Sequence, residues 1–252
     1  MRVFAISDIH IDFVENRKWF STLSKSDYKD DILILAGDIS DIIPMLEMGF
    51  EIAKKCFKEV LYIPGNHDLW VLRNREKDSF EKFSIIKKIA HNHGIRMKPC
   101  HFGLLSIIPL FGWYDYSFGE PSDEVSNIWV DYFACKWPND FDELRITRFF
   151  TFINEKFLNI KNEFIISFSH FLPRIDIMPS FIPSDKRIIY PVLGSLLLEQ
   201  QIRKLSSNIH IYGHSHLNLQ TIKDNTFYIN NAFGYPSETL ISSRKLICIY
   251  EI

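Results

Sequence analysis

Short apolar runs rich in β-branched and aromatic residues recur along the chain, and amphipathic stretches lie between several of them. These runs predict strands at residues 3–6, 32–36, 60–63, 104–110, 164–168, 209–212, 226–230 and 246–250. Pro44 predicts the first turn of a helix that reaches Phe57, since proline is common at the start of helices. A second helix is predicted over residues 79–92, with Gly94 just beyond its end. Strand-helix-strand order early in the chain and hairpin-like pairs later predict an α/β sandwich of sheets covered by helices.

Polar residues follow five of the predicted strands at the point where each strand ends. They are Asp8 and His10; Asp38 and Asp41; Asn66, His67 and Asp68; His170; and His214 and His216. In open α/β sheets, binding sites form outside the carboxyl ends of the strands, so we expect these residues to converge on one rim. Residues two positions apart at a strand end point to the same side.

The residue types in these motifs indicate a metal site. Asp, Asn and His together suit Mn, Fe, Zn or related ions, and the absence of cysteine from the motifs argues against a closed structural zinc site. Glycines at 37, 65 and 213 leave space for tight turns next to the ligands. A single histidine such as His170 is commonly structural, whereas five such strand endings in order indicate a shared function.

The chain resembles the calcineurin-like metallophosphoesterase superfamily in five motifs: Asp8-x-His10, Gly37-Asp38-x-x-Asp41, Gly65-Asn66-His67-Asp68, His170 and Gly213-His214-x-His216. The resemblance implies a four-layer α/β/β/α sandwich with two central mixed sheets and a metal site at the carboxyl ends of the strands. We expect one metallophosphoesterase domain over residues 1–252, with an aromatic and acidic insertion at about 111–145.

The resemblance also implies a binuclear centre of Mn, Fe, Zn or similar ions. One metal is expected on Asp8, His10 and His216, and a second on Asn66, His170 and His214, with Asp38 bridging both. His67 matches an uncoordinated histidine that contacts the phosphate and protonates the leaving group, with Asp68 or Asp41 in support. The implied reaction is hydrolysis of a phosphate monoester or diester by a metal hydroxide.

Composition and charge leave alternatives within and outside this superfamily. The formal net charge of −2 over 252 residues argues against a long nucleic-acid substrate, although a nuclease acting on short ends and a cyclic-nucleotide phosphodiesterase stay open. A non-catalytic scaffold is disfavoured because it would not need a complete ligand set together with His67. We expect a cytoplasmic enzyme without a membrane span, since the four cysteines form no Cys-x-x-Cys pair and no apolar run is long enough.

Substrate selection is expected to come from segments between the motifs. Residues 111–145 contain three of the five tryptophans, and eight acidic residues against two basic ones. Such a segment predicts either a lid that stacks on an apolar or aromatic leaving group or an insertion that packs for stability alone. If the segment is a lid, the residues expected to contact the substrate are Trp113, Tyr114 and Tyr116. Farther along the chain, Arg174 and Arg187 are candidates for binding phosphate oxygens.

Overall fold

The computed structural model describes residues 1–73 and 76–252. In these ranges the strands are β1 (Arg2–Ile6), β2 (Ile32–Ala36), β3 (Glu59–Ile63), β4 (Cys100–Phe102), β5 (Leu105–Pro109), β6 (Phe164–Phe168), β7 (Ile209–Tyr212), β8 (Leu219–Lys223), β9 (Thr226–Asn230) and β10 (Ile247–Glu251). The α-helices are α1 (Val14–Ser21), α2 (Ile43–Cys56), α3 (Ser79–Asn92), α4 (Asp123–Ile128), α5 (Asp131–Ala134), α6 (Glu143–Asn154) and α7 (Leu196–Leu205). Single-turn or irregular 3-10 segments occur at His67–Leu69, Glu155–Phe157, Ile175–Ile177 and Ser184–Val192.

The strands form two mixed sheets. The first has the order β10-β1-β2-β3, with β1, β2 and β3 parallel and β10 antiparallel to β1. The second has the order β4-β5-β6-β7-β9-β8, with a parallel centre and antiparallel strands at both edges. A parallel bridge between Ser7 and Ala232 joins the chain that leaves β1 to the chain that leaves β9. The carboxyl ends of the parallel strands in both sheets therefore meet at one rim.

Helices cover the sheets and complete the predicted sandwich. α2 packs on β3 and between α1 and α3, α6 packs on α7, and β3 contacts β5 between the two sheets. The central strand β2 is fully apolar and all five of its residues are buried, as expected for a parallel strand that is covered on both faces. The expected α/β fold with two mixed sheets is confirmed.

Two edge strands were not predicted, and four of the predicted strands differ from the observed ones by one residue at one or both ends. β4 and β8 are short or half-exposed strands whose sequences, CHF and LQTIK, lack a continuous apolar run. The predicted strand at 104–110 is β5, which begins one residue later because Gly103 turns the chain at a φ of +60°. The predicted helices were close to their observed bounds, since α2 ends at Cys56 and α3 spans Ser79–Asn92.

The segment 111–145 is tied to the loop that follows β3. It contains α4, α5 and the start of α6, and its Ala134 and Lys136 carbonyls accept hydrogen bonds from the backbones of Val71 and Ser79, each at 2.8 Å. All four cysteines are free thiols, as expected. None of the helices in the described ranges is long and apolar enough to cross a membrane.

Candidate metal centre

The rim where the two sheets meet brings the seven predicted ligands together. In a first group, formed by Asp8, His10, Asp38 and His216, the ligand atoms lie within 4.8 Å of one another. In a second group, formed by Asp38, His170 and His214, the ligand atoms also lie within 4.8 Å of one another. Asn66 joins the second group, because its Oδ1 is 3.0 Å from Nε2 of His170. All of these residues are buried. Asp38 belongs to both groups, so the site consists of two adjoining clusters with a shared carboxylate.

The backbone of this rim adopts an unusual conformation at most of the candidate ligands. A left-handed φ between +44° and +67° occurs at five of them: Asp8, His10, Asp38, His214 and His216. Such a conformation is costly for residues with a side chain and persists only where surrounding contacts impose it. Gly37 precedes Asp38 with a φ of +88°, and a Cβ at position 65 would overlap the carboxylate of Asp38. The predicted need for glycine is therefore met at both positions.

Asp68 holds the loops that carry the ligands. Its buried carboxylate accepts hydrogen bonds from the backbone N–H groups of Asp38, Ile39, Ser40 and Gly65, at 2.8 to 3.0 Å. One side chain thus satisfies four backbone donors in two loops, which fits the supporting position expected of it. The other expected support, Asp41, forms an ion pair with Arg73, with its Oδ2 3.5 Å from Nε of the arginine.

Two histidines have their ring orientation set by backbone carbonyls. Nδ1 of His170 donates to the carbonyl of Ala36 at 2.9 Å, and Nε2 of His214 donates to the carbonyl of Val192 at 3.1 Å. A carbonyl only accepts, so the opposite nitrogen of each ring is free to present a lone pair to the cluster. This arrangement is typical of metal-binding histidines.

His216 is oriented by a carboxylate that the sequence did not reveal. Its Nδ1 lies 2.6 Å from Oε2 of Glu238, which also accepts from the backbone N–H of Tyr235 at 2.6 Å. The other nitrogen, Nε2, faces Oδ1 of Asp8 at 3.3 Å and Nε2 of His10 at 3.2 Å. Nitrogen and oxygen lone pairs thus converge on one point, as around a cation.

The electrostatics of the clusters also suit a cation. Burial raises the pKa of Asp38 to about 7 and lowers the pKa of His214 to about 3. Burial opposes protonation of His170 as well, but the neighbouring Asp38 carboxylate raises its pKa to about 9. A buried carboxylate whose charged form is destabilised gains from a bound cation, and a neutral imidazole such as His214 is the form that binds metal. The donor set therefore fits divalent metals.

His67 lies beside the clusters and makes different contacts. Its backbone N–H donates to Oδ1 of Asp38 at 2.9 Å, and its Nε2 is 3.9 Å from Oδ2 of the same residue. Nε2 also shares a hydrogen bond of 3.2 Å with the hydroxyl of Tyr235. Burial and the surrounding histidines hold the pKa of His67 well below its ordinary value.

A cavity of about 360 Å³ opens over these residues. Its polar end contains Asp38, Asn66, His67, His214 and His216. Its apolar walls include Trp70, Ile128, Trp129, Val130, Ile189 and Leu193. Among the described residues that line it, none is a lysine or an arginine.

A sequence model described as calcineurin-like phosphoesterase matches residues 1–218. The chain belongs to the calcineurin-like phosphoesterase family. The resemblance found in the five motifs is thereby confirmed.

This calcineurin-like phosphoesterase is similar to a protein of Mycobacterium tuberculosis. It is 28% identical over 125 residues to the [acyl-carrier-protein] phosphodiesterase PptH of Mycobacterium tuberculosis, a match that covers 46% of this chain and 38% of that protein. The crystal structure of phosphopantetheinyl hydrolase (PptH) from M. tuberculosis superposes with a TM-score of 0.83 at 19% identity, covering 100% of this chain and 96% of the other. The protein TT1561 of Thermus thermophilus gives a TM-score of 0.56 at 14% identity, covering 98% of this chain and 97% of the other. These structures share the fold.

The aromatic residues selected in the insertion of this calcineurin-like phosphoesterase lie deeper than expected. Trp113 and Tyr114 are each 1% exposed, and Trp113 packs against Phe171 at 5.0 Å between ring centroids. Tyr116 is half-buried, and its hydroxyl bonds to that of Tyr132 at 2.8 Å. None of the three lines the cavity. The insertion reaches the cavity instead through residues 128–131, at the junction of α4 and α5.

The two selected arginines also lie outside the cavity lining. Arg174 forms ion pairs with Asp176, Glu199 and Asp224, at 2.5, 3.1 and 2.6 Å. Arg187 donates to backbone carbonyls of its own loop, at residues 180 and 182. Both guanidinium groups are therefore engaged in local contacts, and the same stretch of chain contributes the apolar Ile189 and Leu193 to the cavity.

Sequence reasoning missed several residues of the site: Trp70, Trp129, Asp131, Tyr235 and Glu238. Asp131 carried a signal, since an acidic residue between Trp129 and Tyr132 in an apolar stretch favours burial with N–H donors. Tyr235 and Glu238 follow β9 in an irregular segment without diagnostic spacing. Only the fold brings them against His67 and His216.

Proposed function

We propose that this chain is a metal-dependent phosphodiesterase that cleaves a single-phosphate diester with an uncharged, partly apolar arm. The observation that carries the proposal is the pair of clusters sharing Asp38 at the polar end of an apolar cavity. The similar protein named [acyl-carrier-protein] phosphodiesterase, also titled phosphopantetheinyl hydrolase, supports a phosphopantetheinyl group on a carrier protein as the leading substrate.

The residues that would hold two metal ions are the seven clustered ligands. Asp8, His10 and His216 would hold one ion, Asn66, His170 and His214 the other, and Asp38 would contact both. Bound Mn, Fe or Zn ions would supply Lewis-acid activation of water and neutralise charge on the phosphate. The negative charge of Asp38 would offset the repulsion between the cations.

His67 is proposed to give the leaving oxygen its proton, with the negative charge of a bound phosphate opposing the lowering of its pKa by burial and favouring its protonated form. It lines the cavity beside Asp38 but belongs to neither cluster of ligand atoms. Its Nε2 already shares a hydrogen bond with the hydroxyl of Tyr235, so a proton at that atom lies next to the space that a substrate would occupy. Proton transfer to a poor leaving group is the contribution expected from such a histidine.

The charge of the cavity favours a diester over substrates with several phosphates. No lysine or arginine is present among the described lining residues, so the protein offers no cation to further phosphates. A diester carries one negative charge, which two metal ions balance, whereas a polyphosphate or a nucleic-acid track would leave charges unpaired. The apolar walls would bury the uncharged arm of a pantetheine-like group.

A nucleotide diester is the second candidate. Trp129 and Tyr235 present aromatic rings to the cavity, and stacking on such rings is a general way to bind a base. A cyclic nucleotide or the end of a short strand would place one phosphate at the metals. The scaffold alternative is disfavoured by the same complete donor set.

We also propose that residues 1–252 act as one domain in the cytoplasm. Ligands come from loops of both sheets, so neither sheet could form the site alone. The four cysteines are free, which suits a reducing compartment.

A substrate panel with defined metals tests the proposal. Purified protein loaded with Mn, Fe or Zn is incubated with bis-p-nitrophenyl phosphate, p-nitrophenyl phosphate, 3′,5′-cyclic AMP, a short DNA and holo-acyl carrier protein. We expect release of 4′-phosphopantetheine from the carrier protein, detected by mass spectrometry, and faster hydrolysis of the diester chromogen than of the monoester. The Asp38→Asn variant serves as the inactive control. Activity confined to monoesters or to DNA would refute the proposed substrate class.

A further inference from the structure

We infer that Asp131 is a positioning residue that fixes the side-chain amide of Asn66 with its oxygen toward the metal cluster. The inference rests on the proposed function, because that proposal is what makes Asn66 a metal ligand. Asp131 belongs to none of the recognised motifs and lies in the insertion 111–145. It is 3% exposed and begins α5.

An asparagine amide has one end that accepts and one that donates, and only the oxygen end binds a metal. Nδ2 of Asn66 donates to Oδ1 of Asp131 at 2.8 Å, while Oδ1 of Asn66 lies 3.0 Å from Nε2 of His170. A carboxylate has no proton to donate, so it pairs only with the amide nitrogen. Asp131 thereby selects one of the two amide orientations and excludes the one that would turn the NH₂ group toward the cluster.

The same carboxylate holds two rings of the cavity wall. Its Oδ1 accepts from Nε1 of Trp70 at 2.7 Å, and its Oδ2 accepts from Nε1 of Trp129 at 3.0 Å. Trp129 lies edge-on to His214, with centroids 5.7 Å apart. Asp131 is therefore fixed by three N–H donors, two from the loop after β3 and one from its own segment, which restrains its own rotation and that of Asn66.

The inference gives the insertion a role besides covering the fold. The segment that forms the apolar wall also carries the group that orients a ligand of the second cluster. Loss of that group is expected to weaken one metal position selectively, because the side chains of Asp8, His10 and His216 are oriented by other partners, such as Glu238.

The test measures metal affinity without turnover. Chelator competition with Mn and Zn, together with elemental analysis, is carried out on the full chain and on Asp131→Asn. We expect the metal position that Asn66 serves to lose affinity by about 10- to 100-fold, the usual effect of disturbing an outer partner of a ligand, because an asparagine at position 131 can either accept or donate and no longer selects one amide orientation. Asp115→Asn is the matched control, since Asp115 lies in the same insertion, accepts from Oγ of Ser195 at 2.7 Å and does not line the cavity.

A second background separates orientation from simple packing. In Asn66→Asp the ligand is a carboxylate, which needs no orienting partner and is repelled by the carboxylate of Asp131. Adding Asp131→Asn is therefore expected to raise the metal affinity of Asn66→Asp, the reverse of its effect on the natural chain. A fall in both backgrounds would show a packing role and overturn the inference, as would unchanged affinity in the single variant. If the proposed function is wrong, the natural chain binds two metals but hydrolyses none of the esters, an outcome distinct from the two above.

Discussion

The indole ring of Trp70 stacks on the imidazole of His67, with ring centroids 3.6 Å apart and planes inclined by 29°. Trp70 is itself anchored, because its Nε1 donates to Asp131. On its other side, His67 meets the ring of His10 at 4.7 Å and the hydroxyl of Tyr235. The imidazole therefore has little rotational freedom, and its Nε2 is held over the cavity, as proton transfer to a bound group requires.

This arrangement predicts the effect of removing the imidazole. His67→Ala is expected to lower kcat by about 10²- to 10⁴-fold for a diester with an alkyl leaving group, the range of general acid–base catalysis, while metal content stays unchanged. The loss is expected to shrink for p-nitrophenolate, which leaves without a proton. His101→Ala, a change at an exposed histidine, is the control. Equal losses for good and poor leaving groups would indicate an electrostatic role instead.

The shared carboxylate predicts unequal effects of two aspartate substitutions. Asp38 belongs to both clusters, whereas Asp8 belongs to one. Asp38→Asn is therefore expected to weaken both metal positions, and Asp8→Asn only one. Elemental analysis after dialysis against limiting metal distinguishes them. Retention of one tightly bound ion in Asp38→Asn, or loss of both in Asp8→Asn, would contradict the shared role.

The apolar wall predicts a change in KM that depends on the substrate. Ile189 lines the cavity, whereas its neighbour Ile188 is equally half-buried but does not. Ile189→Ala removes apolar surface with a loss of about 1 kcal/mol, or roughly fivefold in KM, for an ester with an extended apolar arm. Methyl phosphodiesters are expected to be unaffected. Steady-state kinetics of Ile189→Ala and of the control Ile188→Ala test this prediction. Equal effects of the two variants on KM would mean that the apolar arm of the substrate binds elsewhere.

A buried histidine away from the clusters predicts how stability depends on pH. His210 bonds through both nitrogens to Ser167 and Ser169, at 2.8 and 2.9 Å, and burial lowers its pKa to about 3. Unfolding exposes an imidazole with the ordinary value of 6.5. The unfolded chain therefore binds an additional proton below that value, so the free energy of unfolding falls with decreasing pH, by up to about 1.4 kcal/mol per pH unit.

The matched variants for this prediction are His210→Gln and His101→Gln. Denaturant unfolding at a series of pH values below neutrality is expected to show a shallower decline for His210→Gln than for the natural chain. His101→Gln replaces an exposed residue and should leave the slope unchanged. Parallel curves for the natural chain and His210→Gln would mean that His210 takes up a proton without unfolding.

The order of ligands along the chain was readable from the sequence because each one ends a buried strand. Apolar runs such as ILILA can form only an element that is covered on both faces, and a polar residue after such a run must lie at its end. Asp38 and His170 follow this rule, although they are far apart in sequence. Local composition and parallel pairing were therefore sufficient for the α/β class and for the rim of polar strand endings, whereas the family, the two mixed sheets and the assignment of ligands came from the resemblance of the five motifs.

Tertiary structure alone decided which residues surround those ligands. Trp113 and Trp129 belong to the same aromatic, acidic segment, yet Trp113 packs in the core and Trp129 faces the cavity. Composition does not separate them, because the direction of each side chain depends on how α4 and α5 fold back over the rim. Asp131 and Glu238 likewise became partners of Asn66 and His216 through contacts 65 and 22 residues apart in sequence. Such pairings arise from the packing of loops, whose positions carry no periodic pattern that a sequence can display.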